Sequence, residues 1–277
     1  MNREDLKQLW GETLRLLTPS IEQYERLAQS IVDRFVSGDE NFRQHIKNRF
    51  GRVTNTTCQP FDSESFDLDM ARAFIADEIG FTSWDQVINA VEHPGKYPLL
   101  FQYATAALWR GDFTSLESAV GGPELFDVQI KDWIEKRYFA DEPETFAEAF
   151  AAACMLGHAR SAEILLDAGV DPYAGMRTGL AGFHYAASSG RLPVIKLLTE
   201  RKIPMEVENM YGGTVLGQAL WSAVNEHTPD HAAIVEALIN AGANIWPNTS
   251  EWWETQNPLS MATKTRIAAA LRRAENG

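Results

Sequence analysis

The chain has 277 residues, 45% of them hydrophobic, and its 38 acidic and 25 basic residues give a formal net charge of -13 at pH 7. This hydrophobic content is enough for a sizeable core, which excludes a largely disordered chain. No segment reaches the roughly 18 apolar residues of a membrane span, so we expect a cytoplasmic protein. The negative charge repels phosphate backbones and anionic lipid headgroups, which makes nucleic acid and membrane surfaces unsuitable partners.

The first part of the chain has helical periodicity. Apolar residues recur at three- and four-residue spacing and predict a helix over residues 6–17, a second helix that begins at Pro19 and ends at Gly38, and an amphipathic segment over residues 42–50. The polar stretch over residues 51–65 predicts a loop.

Two further helices are predicted before residue 95. Apolar residues stack on one face over residues 67–78, and Ser83 and Gln86 have the spacing of a capping box that begins the next helix. The run His93-Pro94-Gly95 breaks that helix. We therefore expect an amino-terminal helical region over residues 1–95 and a second region over residues 96–277.

The second region contains an internal repeat with a period of 33 residues. One register relates four pairs of positions, namely Gly157 with Gly190, Ala181 with Thr214, Phe183 with Leu216, and Ala186 with Ala219. Each unit reads as a helix, a turn, a second helix with an aliphatic run, and a turn that holds Gly or Asn. We expect about three to four such units, with the clearest over residues 146–245.

The segments GHARSAEILLDAGVD, GRLPVIKLLTE and AAIVEALINAGAN resemble the second helices and turns of ankyrin repeats. The four residues that usually begin the first helix of that family, Thr-Pro-Leu-His, are altered here, and only His184 keeps the histidine and only Thr214 the threonine. The segment DMARAFIADEIGFTSWDQVINAVEH is similar to a helical region that precedes divergent bacterial ankyrin arrays. The resemblance implies an all-α, ankyrin-type helical repeat solenoid with an amino-terminal helical region and a carboxyl-terminal capping helix.

Some units depart from the period. The third unit has seven extra residues between its helices, and Thr228-Pro229 is expected to restart its second helix. A weaker unit with its turn at Gly111 precedes the others and is followed by an insertion around residues 125–139. Stacked repeats need closed ends, so we expect the amino-terminal helices to cap one end and a helix over residues 263–274 to cap the other.

The histidines are the residues most easily mistaken for catalytic groups. The resemblance implies that His184 bonds backbone groups of a neighbouring repeat and that His158 is a turn residue. His227 and His231 are four residues apart and could share a metal ion on a helix. Because Thr228-Pro229 interrupts the helix between them, we expect a solvated loop instead.

No other motif indicates catalysis or a cofactor. Gly212-Gly213 fits a repeat turn rather than a phosphate-binding loop, and the acidic residues 141–148 fit a solvated helix start. Cys58 and Cys154 lie far apart and are expected to be reduced thiols. We therefore expect no enzyme activity, cofactor or metal. A catalytic site hidden in the amino-terminal region would require converging polar groups, which the sequence does not indicate.

Three tryptophans close to the predicted cap allow two interpretations. Trp246, Trp252 and Trp253 lie in the polar segment NIWPNTSEWWET. Either they pack under the carboxyl-terminal cap, or some of them form an exposed binding patch.

The leading functional hypothesis is a protein–protein interaction module, implied by the ankyrin resemblance, that binds through the concave face and the finger turns joining successive repeats. The alternative is a dedicated inhibitor or immunity-type regulator of one basic enzyme. The partner and the oligomeric state stay open. Tyr, Met and Arg are enriched at interfaces, although Met205 and Tyr211 could instead pack against neighbouring fingers. The candidate contact residues are Tyr173, Met176, Arg177, Met205, Glu206, Asn209, Met210 and Tyr211.

Overall fold

The computed structural model describes residues 20–38, 40, 42–44, 46, 66–79, 81, 83–92, 98–174, 179–226, 228–258 and 260–275. The chain divides into two compact units, Met1–Gly122 and Pro123–Gly277. All regular secondary structure in these residues is helical, which confirms the predicted all-α class. The domain boundary near residue 95 stays a prediction. No helix among the described residues is long and apolar enough to span a bilayer.

The amino-terminal unit contains five helices with complete bounds. Helix α1 packs on α2, α2 on α3, and α4 on α5. The helix predicted over residues 6–17 and the loop predicted over residues 51–65 lie outside the described residues. The helices are α1 (Ile21–Val36), α2 (Leu68–Glu78), α3 (Trp84–Glu92), α4 (Leu99–Trp109) and α5 (Phe113–Val120).

Local capping determines where these helices begin. Helix α1 begins at Ile21, two residues after the predicted start, because Ser20 is its N-cap and donates its N–H to the Gln23 side chain at 2.7 Å. Helix α3 begins as predicted, since the Ser83 hydroxyl accepts the Gln86 N–H at 3.4 Å. Short-range sequence signals are therefore sufficient for this unit's described helices.

The carboxyl-terminal unit contains three consecutive helix pairs and flanking helices. Each first helix packs against the first helix of the next pair (α7, α9 and α11), and each second helix packs against the next second helix (α8, α10 and α12). Helix α14 packs on α12. This arrangement is the expected helical repeat solenoid. The elements are α6 (Pro123–Glu135), a 3₁₀ helix (Tyr138–Asp141), α7 (Pro143–Leu156), α8 (Ala159–Asp167), α9 (Gly182–Ser188), α10 (Leu192–Glu200), α11 (Val215–Asn225), α12 (His231–Asn240), α13 (Thr249–Thr255) and α14 (Met261–Glu275).

The predicted register of the repeat is confirmed in the core. Phe150, Phe183 and Leu216 occupy the same position of α7, α9 and α11, and all three are buried. A Cβ at Gly182 would lie 2.7 Å from a ring carbon of Phe150. Glycine at this position therefore makes room for the larger Phe150 in the preceding repeat, which accounts for one departure from the usual family residues.

In the second and third repeats, a residue at the start of the second helix bonds the end of the first helix of the preceding repeat. The Arg191 Nε donates to the Met155 carbonyl at 2.8 Å, and His231 Nε2 lies 3.1 Å from the Ser188 carbonyl. Met155 and Ser188 are one period apart. His231 is the counterpart of Arg191 once the seven extra residues are counted.

The expectation that His231 belongs to a solvated loop is wrong. His231 is fully buried, begins α12, and its Nδ1 accepts the Thr228 N–H at 3.3 Å. Thr228 itself packs on the preceding turn, because a Cβ at Gly190 would lie 2.2 Å from the Thr228 hydroxyl. The extra residues therefore fold back onto the second repeat, and α12 begins two residues after Pro229. His227 lies outside the described residues.

Helix α14 closes the stack against α12. It extends the predicted helix by two residues at its start and one at its end, and Ile267 and Leu271 are fully buried, as is Leu238 of α12. Trp253 of α13 is also fully buried and donates its indole N–H to the Lys264 carbonyl at 3.0 Å. One of the three tryptophans therefore packs under the cap.

Candidate functional site

An open pocket of about 290 Å³ lies between α11, the turn before it and the segment that leads into α13. Its lining is mostly apolar and includes the three glycines 212, 213 and 217. This volume lies at the lower end of the range of pockets that hold small-molecule ligands, about 300 to 1,000 Å³, and it is large enough for one inserted side chain. We call this site the tryptophan pocket. Its principal side chains are Leu216, Leu220, Trp221, Asn244, Trp246 and Trp252.

Helix periodicity makes one wall of the pocket. Leu216 and Leu220 are four residues apart, as are Gly217 and Trp221, so all four lie on one face of α11. A Cβ added at Gly217 would meet only the Thr214 hydroxyl, at 3.6 Å. The pocket therefore has depth because glycine leaves the helix backbone uncovered there.

Three exposed indoles surround the opening. Trp221, Trp246 and Trp252 have 51%, 58% and 42% of their surface exposed. Sequence reasoning left Trp246 and Trp252 undecided and did not consider Trp221. A comparison of units could have found it, because Trp221 stands one period after Ser188 and replaces a small residue by the largest one.

The finger over residues 205–214 makes the second wall. Asn209 is buried, and its side-chain oxygen accepts the N–H groups of Tyr211 at 2.9 Å and Gly213 at 3.0 Å. Glu206 accepts the backbone N–H of the lining residue Asn244 at 2.9 Å. Both side chains thus fix the shape of the pocket. Asn209 was predicted to contact a partner, but its side chain is not available for that.

The remaining predicted contact residues differ in exposure. Met210 and Tyr211 form the exposed tip of the finger, with 79% of the Tyr211 surface exposed, while Met205 is half-buried. The alternative in which Tyr211 packs against a neighbouring finger is therefore wrong. Met176 and Arg177 lie outside the described residues.

Tyr173 belongs to the preceding finger and is held there. Its hydroxyl donates to the carbonyl of Pro204, the residue immediately before the next finger. Burial, together with the nearby Asp171 carboxylate, raises the pKa of Tyr173 to about 12. This phenol is therefore a structural link between fingers.

The stretch of chain that contains the pocket residues is acidic. Residues 203–263 contain seven Asp and Glu residues and no Lys or Arg. Helix α14 neutralises Glu236 through Arg266 and Glu254 through Arg272. The other five carboxylates are exposed, and they are Glu206, Glu208, Glu226, Asp230 and Glu251.

The buried titratable groups of this unit serve the fold. His184 Nε2 lies 3.1 Å from the Gly213 carbonyl of the next finger, as the resemblance implied. His158 precedes α8 at its N-cap and stacks on Phe126. Burial raises the pKa of the Cys154 thiol well above its ordinary value, so the thiolate is disfavoured. No cluster of three potential metal ligands occurs among the described residues.

His184 should make stability depend on pH. Burial lowers its pKa, although backbone contacts at Gly213 and Val207 oppose this shift. In the unfolded chain His184 takes up a proton at about pH 6.5, whereas in the folded protein it does so only at a lower pH. The stability that neutral His184 contributes is therefore present above that pH and is lost as the pH falls below it. We expect the melting temperature of the wild type to fall more steeply from about pH 7 to 5.5 than that of His184→Gln. Parallel melting curves over this range would contradict the assignment.

Comparison with known families identifies the repeat. A family model for ankyrin repeats, with three copies, matches residues 150–249. Comparison with curated proteins and with solved structures gave no match. The matched residues include the second half of α7 and the helices through α12, whose packing and register are those described above. Ankyrin repeats generally serve as protein-interaction modules and not as enzymes. Residues 150–249 of this chain are therefore an ankyrin repeat segment.

Proposed function

We propose that this protein is a non-enzymatic module that binds a partner protein through the tryptophan pocket and the adjoining 205–214 finger. The observation that carries this proposal is the exposure of three indoles around one apolar pocket. Tryptophan is enriched among the residues that contribute most to protein binding, and exposed apolar patches on soluble proteins mark interaction sites. Met210 and Tyr211 extend this surface at the finger tip.

The geometry favours recognition over catalysis. The pocket lining contributes glycine, leucine, threonine, asparagine and tryptophan, and none of these lining groups titrates near neutral pH. Its walls are fixed by the bonds of Asn209 and Glu206, so a ligand would meet a preformed surface. A preformed site loses less conformational entropy on binding, which favours affinity.

Site-specific photocrosslinking tests the proposal. A photoreactive amino acid at Tyr211, introduced in cells that naturally make the protein, should give a covalent adduct with one partner. The same group at Val128, which is exposed on α6, should not give that adduct. The companion variant Gly217→Leu fills the pocket and replaces glycine by a better helix former, so the fold should be retained while the adduct is lost.

Two outcomes would overturn the proposal. One is an adduct that forms equally from Tyr211 and Val128. The other is an adduct from Tyr211 that Gly217→Leu leaves undiminished although circular dichroism shows an intact fold.

A further inference from the structure

We infer that the tryptophan pocket receives a positively charged side chain, arginine in preference to lysine, from a basic segment of the partner protein. This inference rests on the proposed function and specifies the partner's chemistry. It depends on two independent observations, the acidic character of the segment that supplies the pocket residues, with Glu206 bonded to one of them, and the groups that line the pocket.

The first observation is charge complementarity. Residues 203–263 supply no Lys or Arg, and five of their carboxylates are exposed and are not neutralised by the α14 arginines. Glu206 adjoins the site, since its carboxylate accepts the backbone N–H of the lining residue Asn244 at 2.9 Å. A negative charge is thus held next to a pocket residue, and it attracts a cation from solution.

The second observation is the aromatic lining. The face of an indole attracts a cation more strongly than any other aromatic side chain does, and Trp221, Trp246 and Trp252 all line this one pocket. In the described residues, arginines of this chain lie over rings of Phe35, Phe42 and Trp84, but none lies over the three pocket indoles. These indoles are therefore available to a cation from a partner.

Arginine fits the pocket better than lysine. Its guanidinium is planar and weakly hydrated and stacks on aromatic rings, whereas the lysine ammonium is strongly hydrated and costs more to remove from water. Leu216 and Leu220 give an apolar wall for the methylene stem of the side chain. The volume of about 290 Å³ suits one such side chain.

Peptides of matched length test the inference on the full-length protein. Oligoarginine, oligolysine and oligocitrulline would be titrated by calorimetry, because citrulline keeps the shape of arginine and removes its charge. We expect oligoarginine to bind most tightly and oligocitrulline at least about tenfold more weakly. The indole N–H signals of Trp221, Trp246 and Trp252, assigned in NMR spectra by Trp→Phe substitution, should shift with oligoarginine.

Variants separate cation recognition in the pocket from general attraction to an acidic protein. Trp221→Ala and Trp252→Ala should each weaken oligoarginine binding about tenfold, and Glu206→Gln should weaken it and reduce its salt dependence. Trp109→Ala removes an exposed tryptophan of the amino-terminal unit and should leave the affinity unchanged.

Four results would overturn the inference. Oligocitrulline could bind as well as oligoarginine, or the tryptophan variants could bind oligoarginine like the wild type. The protein could instead form a dimer that Gly217→Leu dissociates, which would make a second copy the occupant. A crosslinked partner that reaches the pocket with a neutral or acidic segment would also overturn it, yet would leave the proposed function intact.

Discussion

Trp253→Ala should lower the free energy of unfolding by about 3 to 5 kcal/mol. The side chain is fully buried between α13 and α14, and its indole N–H bonds the Lys264 carbonyl at 3.0 Å. Truncation leaves a large cavity and removes the hydrogen bond to α14, and both effects destabilise the folded state. Chemical denaturation followed by far-ultraviolet circular dichroism gives the value.

The neighbouring residue is a matched control. Trp252→Ala removes the same side chain one position earlier, where 42% of its surface is exposed, and should lower the free energy of unfolding by clearly less than Trp253→Ala does. Trp253→Phe keeps most of the packing and loses the hydrogen bond, so its cost should lie between the two. Equal destabilisation by Trp252→Ala and Trp253→Ala would show that the two indoles do not differ in burial.

Removing the residues after Asn257 should cost even more stability. This truncation deletes α14, whose buried Ile267 and Leu271 cover Leu238 of the third repeat. Loss of each buried aliphatic side chain alone costs about 2 to 5 kcal/mol, so we expect the shortened chain to lose more than about 4 kcal/mol. A repeat with an uncovered apolar face also tends to aggregate. Thermal melting and light scattering measure both effects.

Point variants on α14 make this prediction independent of chain length. Leu271→Ala should destabilise the protein by about 2 to 5 kcal/mol, whereas Met261→Ala, at an exposed position of the same helix, should be nearly neutral. If the truncated chain melts like the full-length protein, α14 is not the cap.

The sequence by itself determined the helical class, the 33-residue register and the closing helix. These features depend on contacts between residues three or four positions apart and on repetition along the chain, and both can be seen without a structure. The buried positions Phe150, Phe183 and Leu216 follow directly from that register. The structural role of His184 came with the family resemblance, and its bond to Gly213 confirms it.

Residue type alone did not show which of the finger residues are free to contact a partner. Tyr173, Asn209 and Tyr211 are all plausible contact residues by type, but only Tyr211 is strongly exposed. Asn209 bonds its own turn, and Tyr173 bonds Pro204, immediately before the next finger. Residue type indicates what a side chain can bind, whereas the surrounding fold decides which of its polar groups are already occupied.

Only the tertiary structure decided which tryptophans line a pocket and which one belongs to the core. Trp252 and Trp253 are neighbours in sequence, yet a helix turns about 100° between them, so α14 covers Trp253 and leaves Trp252 exposed. Trp221 lines the same pocket as Trp252 only because α11 lies beside the segment that leads into α13. His231 was misassigned for the same reason, since it is buried by the preceding repeat. Burial depends on segments far away in the chain, and local periodicity contains no information about them.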